Sequence, residues 1–401
     1  MRSKRVTIKA RDEKEFSGYL ALPDSGTGPG LLLIQEIFGV NDHIKWVADM
    51  YAEQGYVVLA PDLFHRLAPD LSLGYEGKDR EEALEYYRRF DEEQGLSDLC
   101  DAAEYLCSRQ EQTGGVAALG FCLGGKLAFR LAARTTLSAV VSYYGGGLVN
   151  HLNEASETRC PMLFHLAEND QSIPHDAVEK ILTVMTSRPG CRVYIYDNAS
   201  HGFNCDMRSS YHQRSALLSQ ERTARFLTER IGPRINIEEA WENHLYAVYC
   251  GRNVDLILET MTADAVVTII PTLTGGQGHP ELRKFYEDMI VAHSGDGELH
   301  NLSRTVGTNS IVDELLLNIT HDRPIEFLLP GVKPTNSYIQ IPICFSVSFR
   351  GDKLARARAY FDLASLMKQT GLTEADLAVW GREETKKLEN DSFKIDSKVA
   401  P

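Results

Sequence analysis

Gly120-Phe121-Cys122-Leu123-Gly124-Gly125 frames one cysteine with glycines, between an apolar run and a stretch rich in small side chains. A strand that turns sharply into a helix needs small residues around the turn, because Cβ atoms there would strike the neighbouring strand and helix. The residue at the apex is exposed, and the N–H groups of the new helix favour a thiolate and a developing oxyanion. Such an apex cysteine is a candidate nucleophile for acyl transfer, and it needs an acid and then a base later in the chain. Asp170, in Ala167-Glu168-Asn169-Asp170, and His201, in Ser200-His201-Gly202-Phe203, follow two apolar runs in that order. In this reading His201 takes the Cys122 proton, and Asp170 fixes the imidazole tautomer and stabilises its charged form. A buried thiol, a loop acid or helix cap and a turn histidine would account for each residue singly, but not for their order. Of the other histidines in this half, His65 and His165 read as hydrogen-bonded partners in loops or core. His43, His175 and His212 read as surface positions.

The apolar pattern predicts the elements that must hold these groups. Short runs at 31–34, 56–60, 116–119, 139–143, 162–165 and 192–196 predict buried strands. Amphipathic stretches at 44–54, 78–89, 96–108, 124–133 and 215–230 predict the helices between and after them. That alternation is the pattern of an α/β domain with a mostly parallel sheet. Ile231-Gly232-Pro233-Arg234 ends the last helix, so a first domain spans residues 1–232. A second spans 236–385: helices at 237–250 and 281–293, a strand at 264–270, and extended runs at 314–320, 326–329, 338–349 and 355–361. Helices followed by an antiparallel sheet make an α+β arrangement. Residues 386–401 are polar and predict a disordered tail.

The chain has 401 residues, 42 Lys and Arg against 56 Asp and Glu, and a net charge of −14. An acidic protein without a basic stripe is a poor partner for nucleic acid or for an anionic membrane surface. The eight cysteines contain no C-x-x-C pair, so neither a disulfide scaffold nor a zinc-ligand rhythm is expected. Reduced thiols fit a cytoplasmic protein. No apolar signal region follows the N-terminal charges, and no run approaches the ~18 apolar residues of a spanning helix.

With Gln35-Glu36-Ile37-Phe38-Gly39-Val40-Asn41, Gly55-Tyr56-Val57 and Ala60-Pro61-Asp62-Leu63 added to the cysteine frame, residues 6–231 resemble the dienelactone hydrolase (carboxymethylenebutenolidase) family. The resemblance implies an α/β-hydrolase fold and hydrolysis of a small lactone or ester through a cysteinyl acyl-enzyme, with neither metal nor organic cofactor. It gives Glu36 the role of a carboxylate that contacts the resting cysteine and takes part in its activation. It assigns the backbone N–H groups of Ile37 and Leu123 to an oxyanion hole. Arg80 aligns with an arginine that holds a substrate carboxylate. A second family arginine, four residues past the histidine, is replaced by Cys205, with Arg208 three residues later. That departure leaves the ester or lactone substrate open.

The second domain resembles the SnoaL-like, polyketide-cyclase-like branch of the NTF2-like fold. The likeness rests on the helical segment around Trp241, on Leu328-Leu329-Pro330-Gly331, and on Arg358-Ala359-Tyr360-Phe361-Asp362-Leu363. It implies a cone of curved sheet in which His321 and Asp362 would be acid and base of a second site. The alternatives are lyase, isomerase or cyclase chemistry there, or a non-catalytic module for ligand binding or homodimerisation.

Overall fold

The computed structural model of this chain describes residues 2–292 and 296–373. Two compact units follow one another, the first ending at Arg234 and the second beginning at Ile235.

The first unit opens with an antiparallel hairpin, β1 (Arg2–Lys9) and β2 (Glu15–Leu22). There follow β3 (Gly28–Ile34), α1 (Asp42–Glu53), β4 (Val57–Pro61), α2 (Gly77–Arg89), α3 (Glu92–Cys107), β5 (Gln112–Phe121), α4 (Leu123–Leu131) and β6 (Ala139–Tyr143). β7 (Met162–Asn169), α5 (His175–Thr186), β8 (Arg192–Ser200) and α6 (Gln213–Ile231) complete it. The eight strands order as β1-β2-β4-β3-β5-β6-β7-β8. From β4 across to β8 every pairing is parallel, as the alternating pattern predicts. β3, β4 and β6 are buried along their whole length, which is why they read as unbroken apolar runs. The hairpin escapes that pattern: β1 is an edge strand with Lys4, Arg5, Thr7 and Lys9 exposed, polar as unpaired edges tend to be.

α4 is held against α3 by charge as well as by its apolar side. Arg130, 3% exposed, donates to Glu92 at 3.1 Å and to Glu154 at 3.0 Å, and Lys126 pairs with Glu92. Losing one partner of such a buried set costs about 3–5 kcal/mol, because the other charge is left unmet.

The second unit runs α7 (Ile237–Tyr246), α8 (Val254–Glu259), β9 (Met261–Ile269), β10 (Thr274–Gln277), α9 (Gly278–Val291) and β11 (Glu298–Val306). It continues with β12 (Ser310–Thr320), β13 (Tyr338–Arg350), β14 (Lys353–Phe361) and α10 (Leu363–Thr370). Its sheet, ordered β10-β9-β14-β13-β12-β11, is mixed and not antiparallel throughout: β14 and β9 run parallel. Residues 326–329, expected as a strand, form a turn in which Leu328 and Leu329 N–H groups donate to the Ile325 carbonyl, just before Pro330-Gly331. Their apolar side chains fill the core without joining the sheet. Deep in this unit Trp241 Nε1–H donates to Asp313 at 2.7 Å, and Asp313, fully buried, also accepts from Asn301 and Arg304. The predicted tail lies outside the described residues.

Candidate active site

β5 ends at Phe121 and α4 starts at Leu123, with Cys122 between them at φ 54° and ψ −116°. A side chain at Gly120 would stand 2.0 Å from the Gly124 carbonyl oxygen, and one at Gly124 would stand 2.2 Å from that of Ile34. The glycines therefore let the start of α4 press onto the ends of β5 and β3, which forces the turn and lifts Cys122 out of the sheet. Its N–H is tied to the Tyr143 carbonyl at 3.0 Å. Leu123 N–H, first in α4, has no carbonyl one turn back to bond. Ile37 lies in the turn that follows β3.

β7 and β8 deliver the other two groups from their C-terminal ends. Asp170 has a fully buried side chain; Oδ1 accepts from Ser172 N–H at 2.7 Å and Oδ2 accepts from His201 Nδ1 at 2.8 Å. An ionised carboxylate only accepts, so Nδ1 carries the proton and Nε2 is left for Cys122. Burial works against the charged imidazole, but the Cys122 thiolate and Asp170 outweigh it and push His201 up to about 10. The trio therefore sets an imidazole base beside the elbow cysteine, an arrangement suited to activating a nucleophile.

Glu36, 1% exposed, follows β3 and meets Arg208, whose Nη1 donates to Oε1 at 2.9 Å. The Arg208 guanidinium lies over the rings of Phe38 and Tyr75, at 5.7 and 5.4 Å from their centres. It also crosses the backbone of Gly202, where a Cβ would come within 2.5 Å of it; the residue beside His201 has to be glycine for this arginine to reach the site. Buried polar atoms without a hydrogen bond gather around the pair: Glu36 Oε2, Tyr75 Oη and Tyr144 Oη. A site lined by unmet polar atoms is equipped to bind a polar molecule.

The fold brings Cys122, Asp170, His201 and Glu36 to one end of the parallel strands. Arg80 stands exposed in the first turn of α2, and none of the described side-chain bonds ties it to them. His43, expected at the surface, is 1% exposed on the inner face of α1. Tyr75 and Tyr144 carry no pattern signal of their own, whereas Arg208 stands in the sequence near the replaced arginine, with Gly202 six residues before it as the signal that it can reach the site.

In the second unit neither residue of the pair expected at a second site lines the apolar cavity around Trp241. Asp362 is exposed and caps α10, accepting from Ala364 N–H at 3.0 Å and pairing with the Ser365 hydroxyl. His321 is buried, with Nδ1 3.1 Å from Thr335 Oγ1. The apolar cavity of this unit is lined by other residues, among them Trp241, His244, Tyr286, Phe345 and Phe361. An aspartate spent on a helix cap in water is not the acid or base of a dry cavity.

The profile described as the Dienelactone hydrolase family matches residues 16–231. A carboxymethylenebutenolidase of Pseudomonas putida is 33% identical over 228 residues, covering 57% of this chain and 97% of that protein. One from Pseudomonas sp. (strain P51) is 34% identical over 204 residues, covering 51% and 85%. The crystal structure of a Klebsiella pneumoniae protein assigned as a dienelactone hydrolase superposes with a TM-score of 0.51 at 26% identity, covering 57% of this chain and all of that one. Among the described residues, no helix is long and apolar enough to cross a membrane.

Proposed function

From the premise that this chain belongs to the dienelactone hydrolase family, and is a hydrolase of lactones or esters, we propose that its residues 1–232 form a catalytic domain working through a Cys122–His201–Asp170 triad. The observation that carries this reading is the 2.8 Å contact between His201 Nδ1 and Asp170, made beside a cysteine held at φ 54° on the elbow. Cys122 Sγ attacks the carbonyl carbon after its proton passes to His201 Nε2. The negative oxygen of the tetrahedral intermediate settles on the N–H groups of Ile37 and Leu123. As the intermediate collapses, the C–O bond to the leaving alkoxide breaks and His201 hands it the proton; in a lactone the alkoxide stays attached to the acyl group. Water, deprotonated by His201, then attacks the thioester. The acid leaves and the proton returns to the thiolate.

Glu36 and Arg208 supply the modulation. A substrate carboxylate competes with Glu36 for the Arg208 guanidinium, so binding an acidic substrate changes the charge balance next to Cys122. In this reading Arg208 takes the role left open at Cys205, and Arg80, five residues past the Tyr75 that Arg208 rests on, is the second arm. Residues 236–385 we read as an SnoaL-like, NTF2-like domain that binds an apolar ligand in the cavity around Trp241. A homodimer through it is tested by sedimentation of the full chain against one ended at Gly232; equal association states exclude it.

The test of the main reading is turnover of aryl esters and of lactones, with and without a carboxylate, by wild type and Cys122→Ala. All turnover should vanish in the variant, and a slow ester should leave an acyl mass on the Cys122 peptide of the wild type. Retained turnover in Cys122→Ala would sink the proposal.

A further inference from the structure

We infer that His43, Cys205 and Asp206 form a binding site for a borderline-soft divalent cation of the zinc class, beside the proposed triad. Each residue offers one donor atom, and these atoms all lie within 4.8 Å of one another. An imidazole nitrogen, a thiolate sulfur and a carboxylate oxygen are a zinc-type donor set with a fourth position open to water. Magnesium and calcium, which prefer all-oxygen shells, fit it poorly.

The second observation is the state of His43. It is 1% exposed, and neither of its ring nitrogens has a hydrogen bond. The nearest carboxylate oxygen, Asp206 Oδ1, stands 3.6 Å from Nδ1, beyond hydrogen-bond length. Its neighbours on the ring faces and edges are Trp46, Tyr75 and Phe121, with centroids 6.0 to 6.3 Å away. A buried imidazole that reaches no partner closer than the long contact to Asp206 is under-satisfied, and a metal bond would use one of its nitrogens. Cys205 is fully buried, while the Asp206 side chain is 55% exposed and leaves a path from solvent.

The placement gives such an ion a consequence. Cys205 and Asp206 lie on the turn that carries His201 before them and Arg208 after them. A bound cation would tie this turn to α1, and so hold the base and the Glu36 partner in place. It would do so without itself touching the triad.

Cobalt(II) titration of the full chain is the direct test, read by its thiolate charge-transfer band and tetrahedral visible bands, with zinc affinity then taken by competition against a chromophoric chelator. One equivalent should bind in the wild type and in Cys122→Ala alike. Cys205→Ser should lose the charge-transfer band, and Cys205→Ser and His43→Gln should each weaken zinc at least ~100-fold. Excess magnesium should displace nothing. The proposal is overturned if folded Cys205→Ser binds like wild type, or if Cys122→Ala abolishes the bands. Should Cys205→Ser fail to fold, His43→Gln decides: unchanged affinity there overturns the site.

Discussion

Two histidines, one in each unit, are held in opposite states: His201 is half-buried and His244 buried. His201 is pushed up to about 10 because Cys122 and Asp170 both face it, which more than offsets its burial. His244, 4% exposed in the second unit, is pushed down to about 4 by burial alone. Its surroundings suit the neutral ring. The Thr260 hydroxyl donates to the Ile257 carbonyl and so accepts from His244 Nδ1 at 2.7 Å, leaving Nε2 to accept from Tyr286 Oη at 3.3 Å. Both nitrogens are satisfied by neutral hydroxyl groups. Burial by itself makes a histidine a neutral structural part; an ionisable partner on each nitrogen makes it a proton carrier.

The largest expected effect breaks the first half of that contrast. Asp170→Asn removes one of the two groups that raise His201, so turnover should fall about 10⁴-fold. The alkaline limb of the pH–rate profile, expected near 10 in the wild type, should move to lower pH. An unmoved limb would mean that Asp170 does not set the charge of this histidine. The stability sign follows the same shift. Between 6.5 and 10 the folded chain holds a proton that the unfolded chain does not, so the His201 contribution is full below 6.5 and lost as pH rises through 10.

The next effect tests the second half, where the sign reverses. From pH 6.5 down to 4 the unfolded chain binds a proton that folded His244 refuses, so the second unit should lose up to about 3 kcal/mol over that range. Hydrogen exchange of the α7 amides reads this locally. His244→Gln should flatten the dependence; an equally steep one in the variant would place the acid sensitivity elsewhere. Smaller still is Arg208→Gln, which should cost roughly 10-fold or more in kcat/KM for esters bearing a carboxylate and little for neutral ones. Arg80→Ala should show the same selectivity at a few-fold, as befits an exposed cation. Equal losses on neutral and acidic esters would remove both arginines from substrate recognition.

Much of the first unit was legible because its parallel strands are buried on both faces and its helices are not. Strand β1 was not, since an edge strand carries polar residues that look like a loop. Residues 326–329 misled in the other direction: apolar side chains in a turn look like a strand when only their type is read. Asp362 misled for a similar reason, because an aspartate that caps a helix and one that moves a proton have the same letter. Cys205 reads as an ordinary thiol from its spacing, yet it sits with His43, which is 162 residues away in the chain.

Read alone, the chain already shows the turn at Cys122, the order of Cys122, Asp170 and His201, and the break near residue 232. These depend on local sterics and on chain order, which glycine placement and apolar period record directly. It takes the fold to bring Arg208 onto Glu36, to turn His43 inward onto Cys205 and Asp206, and to hold His244 neutral. Each of these depends on which groups from distant segments stand within a few ångströms of one another, and on how little water remains between them.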